Sequence, residues 1–333
     1  MPAFQHGGMK PKRPLKKLAG LMADIIFAPL VLVVAAILRQ VRKTGLYKRP
    51  VCRRVFELFG VFPLRDHYYE PLYRTRGLDP AFRERRELPG IDLNIKRQLE
   101  LLAQFRYSEE LLAIPRTRRA ELEYFYINDA FGPGDGEYFY SAIRHFRPAR
   151  LVEIGSGHST LMARNAIARN RHDDGQYACQ HVCVEPYEQP WLEKLGIDIV
   201  RTPVEKLERS LFVNLQANDI LFIDSSHMIR PQGDVLFEYL DILPRLQPGV
   251  LVHVHDIFTP YDYPNEWVID KIRFWNEQYL LEAFLTGNNR FEVIGSLNHL
   301  THRYPHEMAA ACPVLGENPG RFEPGSFWLR KLG

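Results

Sequence analysis

From residue 149 onward the chain alternates short apolar runs with helical stretches, and that alternation leaves few folds open. The runs are RLVEIG (150–155), HVCVEP (181–186), IDIVR (197–201), DILFID (219–224) and VLVHVHD (250–256). Helical spacing fills the gaps at 159–168, 191–195, 204–211 and 235–246. Strands that are apolar along their whole length must be covered on both faces, and the intervening helices supply the cover. A helix at 268–285 and two more strands, FEVIG (291–295) and SFWLR (326–330), complete the pattern. The last two strands have no clear crossover helix between them and are expected to close as a hairpin. The expected fold is therefore α/β: a Rossmann-like, doubly wound, mostly parallel sheet of seven strands with helices on both faces.

The residues before this region divide in two. Residues 18–38 read LAGLMADIIFAPLVLVVAAIL, about the length that crosses a bilayer as a helix. Asp24 and Pro29 interrupt it, one with a charge and the other with a helix-breaking ring. Basic residues flank it on both sides: Lys10, Lys12, Arg13, Lys16 and Lys17 before, Arg39, Arg42, Lys43, Lys48, Arg49, Arg53 and Arg54 after. Lys and Arg favour the cytoplasmic side. A single span and a re-entrant hairpin bent at Pro29 therefore both stand as readings, beside a buried helix of a soluble protein. The larger cluster follows the segment, so the remainder of the chain is expected to be cytoplasmic and membrane-associated, with membrane lipid as a partner. Residues 51–59 continue as a short amphipathic helix. An amphipathic helix is expected at 91–105 and a second helical stretch at 111–126, and Asp135 is expected to cap a helix running to Phe146. The expected divisions are 1–60 for the basic membrane region, 61–130 for a helical linker or cap, and 131–333 for the domain carrying the sheet.

Net charge is only +3, which makes no case for nucleic acid as a partner. Cys52, Cys179, Cys183 and Cys312 match neither a zinc pattern nor a disulfide framework and are read as small apolar residues.

LVEIGSGHST (151–160) ends the first strand and opens a helix. Gly155 and Gly157 allow a tight turn and a close ligand, and the helix beyond presents free amide hydrogens. Glu153 lies two residues before the first glycine. Glu185 ends the second strand, where a carboxylate can accept hydrogen bonds from both ribose hydroxyls. Over residues 131–330, and most closely in EIGSGHST, CVEP and DILFIDSSH, the chain resembles the class I S-adenosylmethionine (SAM)-dependent methyltransferases. The resemblance implies SAM as cofactor, with Glu153, Gly155, Ser156 and Gly157 at its methionine end. It also implies Glu185 at the ribose, Val204 against the adenine, and Asp224 as a contact of the loop.

A nicotinamide-dependent oxidoreductase uses the same strand, glycine turn and helix. Its fingerprint has a third glycine where this chain has Thr160. A non-catalytic scaffold of the same fold is the other alternative.

Ligands in open parallel sheets sit beyond the carboxyl ends of the strands. The fourth strand ends in Asp224-Ser225-Ser226-His227 and the fifth in His253-Val254-His255-Asp256. His227 is expected to serve as base for a hydroxyl acceptor, with Asp224 and Asp256 beside it. Asp224, Asp256 and His255 are also expected as ligands of Mg²⁺ or another divalent cation. His253 is expected to be a buried, hydrogen-bonded strand residue. Asp135, Glu137 and Tyr138 are weighed between ligand contact and capping or packing. Tyr261, Asp262, Tyr263 and Trp267, in the loop after the fifth strand, are weighed between stacking on a sugar and packing. The expected acceptor is a saccharide or small molecule, with envelope polysaccharide as the setting.

Overall fold

The computed structural model describes residues 13–79, 81–187 and 189–333. Lys10 and Lys12 of the basic flank lie outside the described residues. The chain gathers into two compact units, the first ending at Leu78 and the second comprising Asp79–Gly333.

The first unit opens on the helix Arg13–Thr44, which continues through Pro29. A re-entrant bend at that residue therefore does not form. An internal proline removes one hydrogen bond and kinks a helix, and the apolar turns on both sides sustain it. Its stretch Gly20–Thr44 has a mean hydropathy of 2.7 and buries none of its most apolar window. That is not the profile of a soluble core helix. By length and composition the stretch matches a membrane span or a signal sequence. Gly45 turns the chain at φ +87°, and the helix Pro50–Phe59 follows.

The second unit holds seven strands: β1 (Arg150–Ile154), β2 (Gln180–Val184), β3 (Asp198–Val200), β4 (Ile220–Ile223), β5 (Leu251–Val254), β6 (Phe291–Ser296) and β7 (Phe327–Lys331). They lie in the order β3-β2-β1-β4-β5-β7-β6. β1 to β5 are parallel, while β7 runs antiparallel to both β5 and β6. β6 and β7 are thus neighbours, as expected. Their link is no tight turn, because the short helices Leu297–Arg303, Pro305–Ala311 and Pro313–Gly316 lie between them.

Strand alternation builds two cores. Leu151, Phe222, Leu251 and Trp328 enter the core on one face of the sheet. Val152, Ile154, Leu221 and Val252 enter the core on the other.

Several helices differ from their expected spans. The 91–105 helix begins only at Ile95, after Asn94 in a left-handed conformation (φ +50°). The 111–126 stretch is helical only over Ser108–Ala113. Beyond Pro115 the chain runs through bends and turns and buries Tyr124 and Tyr126 instead. The 268–285 helix begins at Glu277, and a π-helical turn, Glu266–Asp270, precedes it. The 235–246 helix becomes a π-helix at Glu238–Ile242, where each hydrogen bond spans one residue more than in an α-helix.

The helix Asp135–Phe146 forms as expected, one residue displaced in its cap: Gly134, not Asp135, is the N-cap. Glu137 is fully buried and accepts hydrogen bonds from the backbone N–H groups of Gly134 (3.0 Å), Val314 (2.7 Å) and Leu315 (3.0 Å). Asp135 accepts from Ser326 N–H (2.8 Å), and the Tyr138 hydroxyl donates to the Ile294 carbonyl (2.6 Å). Asp135 and Tyr138 tie this helix to the β7 and β6 segments, and Glu137 ties it to the short helix Pro313–Gly316. Glu137→Ala leaves three buried donors without a partner, at about 1–3 kcal/mol each by the usual penalty, so a loss of roughly 3–9 kcal/mol is expected. Urea unfolding of the full chain in detergent reads it, and an unchanged midpoint would refute this role.

Candidate active site

The carboxyl ends of β1, β2 and β4 surround a cleft of about 220 Å³, lined among others by Gly155, Glu185, Tyr187, Val204, Asp224 and Ser226. The strand tips are tied together: Asp224 N–H donates to Ile154 O (2.8 Å) and Gly155 N–H to Val184 O (3.0 Å). Gly155 turns the chain at φ +77°, and a Cβ there would lie 1.9 Å from the Asp224 carbonyl oxygen. Only glycine fits. Gly157 differs, with extended backbone (φ 176°) and no heavy atom within 4 Å of a would-be Cβ. The protein itself does not require glycine at 157, and the space beside it is open. Gly157 N–H donates to Thr160 Oγ1 (3.1 Å), which fixes the start of the helix His158–Asp173.

Glu185 stands at the cleft. Its carboxylate accepts from Ser156 N–H (3.2 Å) and Tyr187 N–H (3.1 Å). Val204 is buried in the turn Val204–Lys206 on the far wall. Glu153 does not line the cleft. It points from β1 into the opposite core, fully buried, with Oε2 2.5 Å from His181 Nε2 and 3.4 Å from Cys183 Sγ. Strand alternation explains this: Ile154 takes the cleft face, so Glu153 takes the other. Burial and the neighbouring Glu153 push the Cys183 thiol up, so it stays protonated.

Next to the cleft, the tips of β4 and β5 bring Asp224, His227 and Asp256 together. His227 Nε2 lies 3.3 Å from Asp224 Oδ1 and 3.5 Å from Asp256 Oδ2. His227 Nδ1 donates to Glu277 Oε2 (2.8 Å), and Tyr239 OH donates to Glu277 Oε1 (3.1 Å). His227 and Asp256 both adopt positive φ, +58° and +57°, a conformation costing such residues about 1–3 kcal/mol each. The surrounding bonds hold that strain. His255 is buried on β5's extension, its Nε2 3.6 Å from Asp256 Oδ1. The tight three-group cluster thus contains His227, where the sequence reading put His255. His253 is buried, with Nε2 2.9 Å from Ser326 Oγ, and burial keeps it neutral.

The charges interlock. Burial works against ionised Asp224, but His255 and His227 outweigh it and hold the carboxyl down at about 2. Burial likewise opposes a proton on His227, and Asp224, Glu277 and Asp256 outweigh it, so the ring keeps its proton well above the ordinary histidine range. Burial pushes Asp256 up.

Of the loop after β5, Tyr263 is buried and accepts from Gln278 N–H (3.0 Å), while Asp262 accepts from Tyr279 OH (2.5 Å). Trp267 packs on Phe258 and Trp275, and Tyr261 on His302. These contacts lie within the protein. Trp275, 4.3 Å from His227 between ring centroids, borders the reacting centre more closely.

Sequence reasoning missed Glu277, Tyr239 and Trp275. Glu277 opens a helix 50 residues after His227 and reads along the chain as an ordinary first-turn acid. Only the fold brings it under the imidazole.

A glycine turn after β1 and an acid after β2, opening on one cleft at the carboxyl edge of the sheet, define a Rossmann-like enzyme that takes an adenosyl cofactor. The antiparallel β7 inserted between β5 and β6 departs from the 3-2-1-4-5-6 order of the dinucleotide-binding fold. Residues 152–257 match a family model described as a methyltransferase domain. An uncharacterized protein of Archaeoglobus fulgidus is 31% identical over 178 residues, covering 49% of this chain and 78% of that protein. Residues 152–257, which carry the glycine turn, Glu185, Asp224 and Asp256, are therefore a methyltransferase domain. Two solved structures are distantly similar. The Bacillus cereus O-methyltransferase in complex with SAH has TM-score 0.35 and 13% identity, over 71% of this chain and 90% of that one. The O-methyltransferase TomG of Streptomyces achromogenes, involved in tomaymycin synthesis and solved with SAM, has TM-score 0.35 and 12% identity, over 70% and 90%.

Proposed function

We propose that this enzyme transfers the SAM methyl group to a hydroxyl oxygen of a saccharide or other small acceptor, at the cytoplasmic face of a membrane. The observation that supports this reading is the Glu277–His227 pair, whose Nε2 faces Asp224 and Asp256 at the strand tips. A hydroxyl is a poor nucleophile until a positioned base takes its proton. A buried carboxylate on Nδ1 steers the ring and selects which nitrogen acts.

His227 can accept a proton only after losing its own, which the carboxylates around it oppose. Asp224 and Asp256 are carboxylate donors that suit a hard divalent cation such as Mg²⁺, which would acidify a bound hydroxyl. A cation held there would also offset the carboxylate charge that keeps His227 protonated, and His227 would then be able to serve as the base.

For the cofactor, we assign the open side of the glycine turn 155–157 to the methionine end, Glu185 to the ribose hydroxyls and Val204 to the adenine. Asp224 closes the same cleft. Glu153 supports the loop from beneath, through His181 and Cys183. The saccharide reading rests on the aromatic loop 257–267 and Trp275, together with the membrane helix. The helix Gly20–Thr44 and the basic residues after it support membrane attachment with the second unit on the cytoplasmic side.

S-adenosylhomocysteine is expected to raise the melting temperature of the full chain, and NAD(H) is not. Glu185→Ala removes charge-assisted bonds to two hydroxyls and is expected to weaken S-adenosylhomocysteine binding on the order of 100-fold. Unchanged affinity in that variant would overturn the ribose assignment. Transfer of label from methyl-tritiated SAM to a membrane glycan fraction, as an alkali-stable ether, tests the acceptor. Label found only on amines or proteins would remove the hydroxyl reading.

A further inference from the structure

We infer that the helix Pro50–Phe59 is a second membrane contact, lying along the bilayer surface and binding anionic lipid headgroups. The inference rests on the membrane reading of the preceding helix. It adds a distinct site of its own.

Val51, Val55 and Leu58 recur at i, i+4 and i+7, with Phe59 beside them, so one face of this helix is apolar. That face is uncovered: Val51, Leu58 and Phe59 are 74%, 80% and 73% exposed. A ten-residue helix is marginal in water by itself, and an uncovered apolar stripe is a poor reason for it to form there. Gly60 ends the helix in a left-handed conformation (φ +63°), and Val61 and Phe62 continue the exposed apolar surface.

Charge selects the occupant. Between Arg39 and Phe56 the chain carries seven Lys and Arg residues and no acid. Arg42 is taken up by Glu70, at 2.7 Å within the same unit. Lys43, Lys48, Arg49, Arg53 and Arg54 remain exposed, and among the described residues only Arg53 of these meets an acid, Glu57 at 2.7 Å in open solvent. Exposed cations rimming an apolar stripe, a few residues beyond a helix able to enter a bilayer, match an anionic leaflet. Tyr47, Tyr68 and Tyr69 are 79%, 91% and 85% exposed in the same unit and are of the type that settles at headgroup level. A protein partner or a second copy would bury the stripe without needing the cations.

The test uses the full chain in nanodiscs, with an NBD fluorophore on Leu58→Cys in a Cys52→Ser background. Ile26→Cys in the same background reports on the preceding helix. With 30% phosphatidylglycerol the label at 58 is expected to shift to the blue and to be quenched by shallow spin-labelled lipid. In phosphatidylcholine alone it should stay aqueous. Each basic residue contributes roughly 5-fold to partitioning, so Arg53→Gln with Arg54→Gln should cut the embedded-to-free ratio about 25-fold. If position 58 stays aqueous in anionic discs while position 26 is apolar, this inference fails and membrane attachment stands. If both stay aqueous, membrane attachment fails and takes the inference with it. A label at 58 already shielded without lipid means that protein covers the face, which also overturns the inference.

Discussion

Gly155→Ala is expected to abolish SAM binding and to cost the fold roughly 2–6 kcal/mol, from left-handed strain and from overpacking together. The methyl group would meet the Asp224 carbonyl oxygen at 1.9 Å. That oxygen is backbone at the tip of β4, pinned by the bond from Asp224 N–H to Ile154 O (2.8 Å). Relief requires separating β1 from β4, which would open the cofactor cleft and displace Asp224 together. Gly157→Ala is the matched control. Its backbone is extended and its surroundings are open, so stability should stay within about 0.5 kcal/mol of wild type. Affinity for S-adenosylhomocysteine should nevertheless fall, because in this reading the open space is where the ligand lies. Thermal unfolding in detergent and calorimetric titration distinguish the two variants. A Gly155→Ala protein with wild-type melting temperature and affinity would remove the cleft as the cofactor site.

Asp224→Asn should lower kcat by about 10²- to 10⁴-fold, the range for disabling a positioned base or its cation. The pH profile gives a sharper readout. His227 works only unprotonated, and Asp224, Glu277 and Asp256 raise its pKa against the opposing effect of burial. The rate should therefore climb with pH through a value above the ordinary histidine range when no cation is bound. Removing the Asp224 charge lowers that pKa, so the residual activity of Asp224→Asn should rise at lower pH. Chelation by EDTA should slow the wild type and move its rising limb to higher pH, because the carboxylates then act on the imidazole alone. Restored Mg²⁺ should reverse this, and the variant should respond little to either. A wild type indifferent to EDTA across the whole pH range would eliminate the cation. A limb unmoved by Asp224→Asn would eliminate His227 as the base.

The candidate site divides into parts that are local in sequence and parts that are not. The cofactor cleft is made of short segments in which adjacency along the chain is adjacency in space. Gly155 must follow a strand and precede a helix, and Glu185 must end the next strand. Both were legible, because a parallel α/β sheet puts all such ends on one edge. Asp224, His227 and Asp256 were legible for the same reason. What those side chains do to one another was not.

Short-range pattern, period 2 in the strands and 3.6 in the helices, determined the α/β class, the seven strands and the edge that carries the site. It also determined a membrane-length helix ahead of the sheet. The tertiary structure decided that Glu153 faces the buried His181 and Cys183 instead of the cleft, and that the helix runs through Pro29. It decided too that Glu277, 50 residues away, holds His227 by its second nitrogen. Periodicity records only which side of an element a residue occupies. Which partner waits on that side depends on chain segments far apart, and only folding brings them within hydrogen-bond reach.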